Sequence, residues 1–323
     1  MVELTGGETT AMSRPMIVNK ELYRTLPWND PPIRPVLKWA GGKSQLLQEI
    51  RKHYPAELGR RIKKYAEPFV GGGAVLFDIL SNYSLESVYI SDMNRELIET
   101  YTIIRDDIDN LVNKLAKYQK EYLKLNEEDR KEYYNAKRCR FNTVKKWKKI
   151  TTELGALFIF LNRTGYNGLY RVNTRGGFNA PKGSYKNPCI LDEDNLRAVS
   201  QALSNVDIRR ADYEESSSFI DDRTFVYFDP PYRPLTGTAN FTAYTEFPFD
   251  DEAQKKLATY IHQLAGRGVK VLASNSDPKN VDKNDDFFDN LYKGLNIRRV
   301  KATRRISSKA STRGEITELL IYN

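Results

Sequence analysis

Four consecutive residues, Asp229-Pro230-Pro231-Tyr232, carry the strongest chemical suggestion in this sequence. The Asp229 carboxylate and the Pro230 carbonyl can both accept hydrogen bonds, and Tyr232 offers an aromatic face. Together they suit a planar amine, with two acceptors for the –NH2 group and a ring to stack on the ring that bears it. The same residues would also make a strand-ending turn with a solvated acid, so the neighbours must decide. The apolar run Phe225-Val226-Tyr227-Phe228 predicts a short buried strand over 224–228, stopped by the two prolines. Asp229 is thereby expected at the carboxyl end of a strand, where open α/β sheets bind their ligands.

Two glycine turns are spaced to hold such a ligand. Lys38-Trp39-Ala40-Gly41-Gly42-Lys43 runs into Ser44, a possible helix cap, and a helical pattern through Leu46, Leu47 and Ile50. The sequence Glu67-Pro68-Phe69-Val70-Gly71-Gly72-Gly73 lies between a strand and a helix that starts at Ala74. Strand, glycine turn and helix form a nucleotide-binding opening, although an ordinary turn would read the same way. Asp92 ends the next strand, 87–91, and lies 21 residues beyond Gly71, where an acid can bind ribose hydroxyls. Leu76 stands where a dinucleotide fingerprint needs its third glycine. A nucleoside without a pyrophosphate, such as S-adenosylmethionine, fits better.

Between these motifs the chain turns basic. Residues 114–150 hold 13 Lys and Arg against 5 Asp and Glu, interleaved with Tyr118, Tyr122, Tyr133, Tyr134 and Trp147. Such a run is usually a solvated helical face with aromatic core contacts; its density here favours phosphate contacts. An apolar helix over 154–161 then leads into Asn162-Arg163-Thr164-Gly165-Tyr166-Asn167-Gly168-Leu169-Tyr170-Arg171, and Gly176-Gly177 follow. The Asn-Gly and Gly-Gly turns predict a β-hairpin able to enter a DNA groove, or else only a connecting arm. A helix over 192–203, strands at 206–210, 269–273 and 317–321, a helix over 251–265 and a long loop over 235–249 complete the pattern. Asp212-Tyr213 follows the 206–210 strand. The first 34 residues are polar and lack periodicity.

Composition narrows the function classes. With 51 basic and 42 acidic residues in 323, the formal charge is +9, which suits a polyanionic partner. Cys139 and Cys189 are isolated, arguing against a disulfide framework or a zinc site. His53 and His262 are the only histidines, arguing against a His general base or a His-rich metal centre. No segment reads as a signal peptide or membrane span, so a cytoplasmic protein without membrane attachment is expected.

The motifs occur in an order that closely resembles the Dam-type adenine-specific DNA methyltransferases. The likeness rests on Lys38 to Lys43, Glu67 to Gly71, Asp92 and Asp229 to Tyr232. It extends to Asn162-Arg163 with Tyr166-Asn167-Gly168, Gly177 to Pro181, Thr238 to Tyr244, Ser274-Asn275 and Ile306 to Ser308. It covers about residues 35–322. The resemblance implies a Rossmann-like α/β methyltransferase sheet with an inserted, mainly helical target-recognition domain carrying the hairpin. Residues 35–100 and 192–323 would be catalytic, 101–191 would recognise the target, and 1–34 would be an extension. It further implies S-adenosyl-L-methionine as donor, no metal, and the N6 amine of adenine in double-stranded DNA as acceptor, at G-A-T-C, by base flipping.

By the same likeness Asp229, Pro230, Pro231 and Tyr232 are catalytic. Trp39, Ala40, Gly41, Gly42, Lys43, Glu67, Pro68, Phe69, Gly71, Gly72, Gly73, Asp92, Asp212, Tyr213 and Asp229 hold the cofactor. Lys38, Arg163, Tyr166, Asn167, Leu169, Arg171 and Pro181 contact DNA, with Tyr166 as the wedge into the duplex. A cognate restriction endonuclease is a conceivable partner, without a stable complex. Rival readings are an adenine methyltransferase with another DNA or RNA target, and a catalytically silent DNA-binding protein.

Overall fold

The computed structural model describes residues 33–147, 149–233, 249–303 and 315–323. At its centre lies β1 (Lys64–Pro68), paired in parallel with β2 (Ser87–Ser91) on one side and β4 (Thr224–Phe228) on the other. Outward from β2 comes β3 (Val206–Arg209), and outward from β4 comes β5 (Lys270–Ser276), both parallel to their neighbours. Beyond β5 the direction changes. There β7 (Glu315–Tyr322) pairs antiparallel with both β5 and the edge strand β6 (Asn296–Thr303). The described strands form one seven-stranded sheet in the order β3-β2-β1-β4-β5-β7-β6.

The strand order reverses between β1 and β4, and a reversal opens a crevice at the carboxyl ends of the strands beside it. Both strands end in motifs singled out above, Glu67-Pro68-Phe69 on β1 and Asp229 on β4. Every residue of β4 is buried, as a central parallel strand covered on both faces requires. Tyr65, Phe225 and Tyr227 enter one core, while Ala66, Val226 and Phe228 alternate into the other.

The first core is covered by α1 (Leu47–Arg51), α2 (Ala74–Asn82), α3 (Arg95–Asp106) and, beyond β2, α7 (Glu193–Ala202). Between α3 and α7 lie α4 (Ile108–Leu123), α5 (Glu127–Val144) and the nearly all-buried α6 (Thr152–Thr164). Leu111, Leu115, Phe141 and Phe160 of these helices join the first core. The segment 101–191 therefore shares an apolar core with the sheet. The second core is covered by α8 (Asp251–Gly266) and α9 (Phe287–Leu291).

Several expectations change. Ser44 lies inside a 3-10 turn, Lys43–Gln45, whose leading residue Gly42 offers no side chain, so Ser44 caps nothing. The hairpin over 165–182 appears as two isolated antiparallel bridges, Gly165 with Lys182 and Val172 with Phe178. Around the second bridge the arms are joined by two backbone bonds of 2.9 Å, Asn173 N–H to the Gly177 carbonyl and Asn179 N–H to the Arg171 carbonyl. The outward-facing N–H and carbonyl of Phe178 bond the Asn142 side chain of α5 at 2.7 and 2.9 Å. Ile33 is buried and Arg34 N–H donates to Asn195 Oδ1 of α7 at 2.9 Å, so the extension's last residues belong to the fold. The 235–248 part of the predicted long loop, the 238–244 and 306–308 motifs and residues 1–32 lie outside the described residues.

Candidate active site

Asp229 stands where β4 ends, 21% exposed, with two neighbours on one oxygen. Lys43 Nζ lies 2.8 Å from Oδ1, and Ser274 Oγ of β5 donates to the same atom at 2.8 Å. Ser274 is itself held by Tyr227 Oη at 3.0 Å. Lys43 is only 4% exposed; its ammonium also donates to the Gly41 carbonyl at 2.5 Å and lies 4.6 Å from the centre of the Tyr232 ring. The turn at Gly41-Gly42 thus delivers a buried cation to the strand tip.

The residues after Asp229 are held as firmly. Gln254 Nε2, on fully buried Gln254 of α8, donates to the Pro231 carbonyl at 3.0 Å, and Asn275 Nδ2 fixes Gln254 Oε1 at 3.0 Å. Tyr232 Oη donates to Glu318 Oε2 of β7 at 2.5 Å. Burial first, then the Asp229 and Glu318 charges, pushes the Tyr232 hydroxyl well above the usual phenol range. Tyr232 therefore remains a neutral donor and cannot act as a base near neutral pH. Arg233 locks the exit of the turn, bridging Asp251 and Asp285 at 2.7 Å each. Glu318, Gln254 and Arg233 were not apparent from the sequence. An acid immediately before the apolar run Leu319-Leu320-Ile321 was the one trace of Glu318.

The β1 turn forms the adjoining wall. Phe69 adopts a φ of 118°, a strained value for a residue with a side chain, and its ring stacks on Tyr213 with centroids 5.6 Å apart. Gly71 has a φ of 47°, and a Cβ there would come within 2.9 Å of Trp39 Cδ1, so only glycine lets the Trp39 ring lie on the turn. Gly72 also packs on Trp39, and Gly73 opens α2. Pro68 closes β1. Glu67 is buried and accepts from Tyr65 Oη at 2.6 Å; burial holds its carboxyl well above the usual carboxylate range. Ala40 stays half-buried beside this turn.

Asp92 follows β2 and accepts from the Gly71 N–H at 3.2 Å and the Asn94 N–H at 2.8 Å. Burial pushes its carboxyl up to about 6, against the backbone N–H groups that lower it. Asp212 is exposed and caps the short turn Tyr213–Ser218, leaving Tyr213 as the wall residue of that pair. Trp39, Phe69, Tyr213, Asp92 and the three glycines thus gather around the turn that follows β1, at the carboxyl ends of β1 and β2.

Most of the expected DNA contacts gather in a second group. Buried Asn162 accepts from the Lys38 N–H at 2.8 Å and donates to the Lys38 and Gly168 carbonyls at 2.8 and 2.9 Å. This places Lys38 against the 166–168 turn, where Asn167 adopts a φ of 52°. Tyr166 is 54% exposed, and its N–H donates to the Pro181 carbonyl at 2.9 Å. Arg171 is exposed and rests on Asn179, donating to Oδ1 at 2.8 Å and to the carbonyl at 3.0 Å. Leu169 lies half-buried between them. Arg163 is set apart from this group, half-buried, with the charges of Asp192 and Arg34 acting on it.

In the basic segment the bland reading holds for the tyrosines. Tyr118, Tyr122, Tyr133 and Tyr134 pack around Phe160, and Trp147 alone of the interleaved aromatics is exposed. Lys145 turns inward, 3.0 Å from Glu96 Oε1. Lys146 and Lys149 remain exposed. No cluster of three or more His, Cys, Asp or Glu able to hold a metal ion occurs among the described residues, and no described helix is long and apolar enough to cross a membrane.

A mostly parallel sheet reversing at β1 and β4, with a glycine turn, a carboxylate and an Asp-Pro-Pro-Tyr tip at its carboxyl ends, defines a Rossmann-like α/β enzyme. Residues 39–306 match the D12 class N6 adenine-specific DNA methyltransferases, and the chain belongs to that family. It is 48% identical over 293 residues to the type II methyltransferase M.MjaIII of Methanocaldococcus jannaschii, spanning 90% of this chain and 99% of that protein. It is 36% identical over 287 residues to the DNA adenine methylase of Escherichia coli K12, covering 89% and 94% of the two chains. The Haemophilus influenzae DNA adenine methylase is 33% identical over 288 residues, covering 89% and 92%. The protein is an adenine-specific DNA methyltransferase.

Proposed function

We propose that the chain moves a methyl group from S-adenosyl-L-methionine to the N6 amine of adenine in G-A-T-C of double-stranded DNA, after flipping the base. One observation carries this reading: Asp229 and Tyr232 are locked at the tip of β4, beside a crevice suited to a nucleoside. The donor set of that crevice fits S-adenosylmethionine, with a carboxylate, Asp92, for ribose hydroxyls and an aromatic pair, Phe69 and Tyr213, for the purine face. Gly71 to Gly73 and Trp39 would line its methionine end. When bound, the cofactor supplies an electrophilic methyl on a sulfonium.

The protein's part is positional and electrostatic. Adenine's amine lone pair is delocalised into the ring and is a poor nucleophile. Accepting a hydrogen bond from each amine N–H, at Asp229 and the Pro230 carbonyl, favours the pyramidal amine and stabilises the positive charge that grows on it during transfer. Lys43 and Ser274 both contact Oδ1, so the incoming amine is assigned to Oδ2. Tyr232, anchored by Glu318, holds the ring face so that the amine points at the methyl. The surplus proton becomes acidic only after methylation, so no strong base is required.

Residues 101–191 supply target recognition in this reading, and 35–100 with 192–323 supply catalysis. Tyr166 fills the gap left by the flipped base, while Arg171, Leu169 and Pro181 read base edges and Lys38 and Asn167 support them. The G-A-T-C site rests on those residues and on the likeness to DNA adenine methylases. Likeness to type II methyltransferases supports a cognate restriction endonuclease as a partner that shares the site without a stable complex. Digesting a treated G-A-T-C duplex to nucleosides and weighing them tests the acceptor. N6-methyldeoxyadenosine is expected; methylated cytosine, or no methylated nucleoside, contradicts it.

Two further outcomes follow. The ribose hydroxyls need an ionised Asp92, so cofactor affinity should be flat above its value of about 6 and fall below it, by about tenfold from pH 7.5 to pH 5. The same raised value contributes stability to the fold at low pH that is lost as pH rises through about 6, so acid unfolding at this group cannot mimic the effect. Calorimetry on Asp92→Asn should show weak affinity without the pH dependence. Separately, replacing exposed Lys146 and Lys149 should flatten the plot of log duplex affinity against log salt by up to about 0.9 per lost phosphate contact. An unchanged slope would return that segment to a solvated face.

A further inference from the structure

We propose that Glu96, Lys145 and Tyr170 are positioning residues that couple the cofactor crevice to the DNA-reading arm, making each ligand tighten the other. The inference rests on the reading of those two sites given above. Glu96 sits in the first turn of α3, four residues beyond Asp92, and is buried. Its two oxygens are taken by the two halves of the recognition machinery. Tyr170 Oη donates to Oε2 at 2.8 Å, and Lys145 Nζ lies 3.0 Å from Oε1.

Tyr170 stands between Leu169 and Arg171, so it fixes the stretch that reads bases. Its ring also stacks on Trp39, with centroids 6.2 Å apart, and Trp39 lies on the Gly71 turn of the cofactor crevice. Lys145 reaches the far end of the arm as well, donating to the Gly176 carbonyl at 3.0 Å. Arg95, next to Glu96, holds the same segment from behind through the Lys145 and Trp147 carbonyls at 3.1 and 2.7 Å. One helix start thereby grips the arm at Tyr170 and the basic segment at three points, and Lys145 carries the hold on to Gly176.

The burial of Glu96 makes the link stiff. Moving the arm without α3 would strand a buried carboxylate, a severe cost that disfavours independent motion. A ligand that settles against Trp39 and Asp92 restrains Tyr170 through the Trp39 ring and the start of α3 through the bond from the Asn94 N–H to Asp92, and with that helix start Lys145. Ordering paid for by one ligand is then spared the other, which is positive coupling. By thermodynamic reciprocity the duplex must tighten cofactor binding by the same factor.

The test titrates S-adenosylhomocysteine, which cannot react, into the protein by calorimetry with and without a short duplex bearing one G-A-T-C. Wild type should bind S-adenosylhomocysteine at least about fivefold more tightly when the duplex is present. Tyr170→Phe, which removes one oxygen and keeps the ring, should bind each ligand alone within about threefold of wild type but lose that enhancement. Lys145→Met should do the same. If either variant fails to melt cooperatively, the other decides. Should Tyr170→Phe weaken duplex binding equally with and without S-adenosylhomocysteine, the cluster is merely structural and the proposal is overturned. A wild type that binds both ligands without mutual enhancement also overturns it, leaving the functional reading intact. A wild type that binds neither overturns that reading, and this one with it.

Discussion

Asp229→Ala should retain duplex binding and lose methyl transfer by at least ~10²-fold, the scale of removing one positioned transition-state group. The structure adds a complication that Asp229→Asn resolves. Alanine leaves the Lys43 ammonium, only 4% exposed, without its carboxylate, so part of any loss could come from a rearranged tip. Asparagine keeps the shape and one acceptor oxygen while removing the charge that offsets the growing cation. Both variants should therefore be slow in single turnover, with Asp229→Asn keeping cofactor affinity and melting temperature closer to wild type. Near-wild-type single-turnover rates in Asp229→Asn would remove Asp229 from the mechanism.

The second large effect concerns specificity. Arg171 donates to Asn179 through Nε and Nη2, a fork that could be presented instead to the major-groove edge of a guanine. Arg171→Ala should cost about 1–3 kcal/mol of discrimination at that guanine while near-cognate sites are still methylated. Tyr166→Ala should act differently. Its ring is exposed and belongs to neither core, so its removal should impair flipping and leave the recognised sequence unchanged. A 2-aminopurine at the target position reports flipping directly. If Arg171→Ala lost activity equally on G-A-T-C and on every one-base variant, the arm would position backbone rather than read bases.

How far the sequence could be read depended on whether local pattern and long-range pairing agreed. β4 was legible because a central parallel strand is apolar on both faces, and Pro230-Pro231 can only follow it. The glycine turn and Asp92 were legible because their spacing is set by one strand–helix–strand unit. The edge strand β6 was not, because Arg298-Arg299 breaks its alternation and Arg299 is held by Asp277 and Asp289 from other elements. Lys145 looked like its basic neighbours; Glu96, 49 residues earlier, and the Gly176 carbonyl, 31 residues later, turn it inward. Tyr118 and Tyr134 were ambiguous for the same reason, since Phe160 makes them core. At the site, Glu318 and Gln254 reach the tip of β4 from β7 and α8, contacts that no local spacing encodes.

The most direct measurement of the whole account methylates a randomised duplex library with labelled S-adenosylmethionine and maps every modified position. The account predicts label on adenine alone, in double-stranded substrate, concentrated at G-A-T-C, and absent with Asp229→Asn. Label spread over adenines without a common flanking sequence, or confined to a different site, would contradict it.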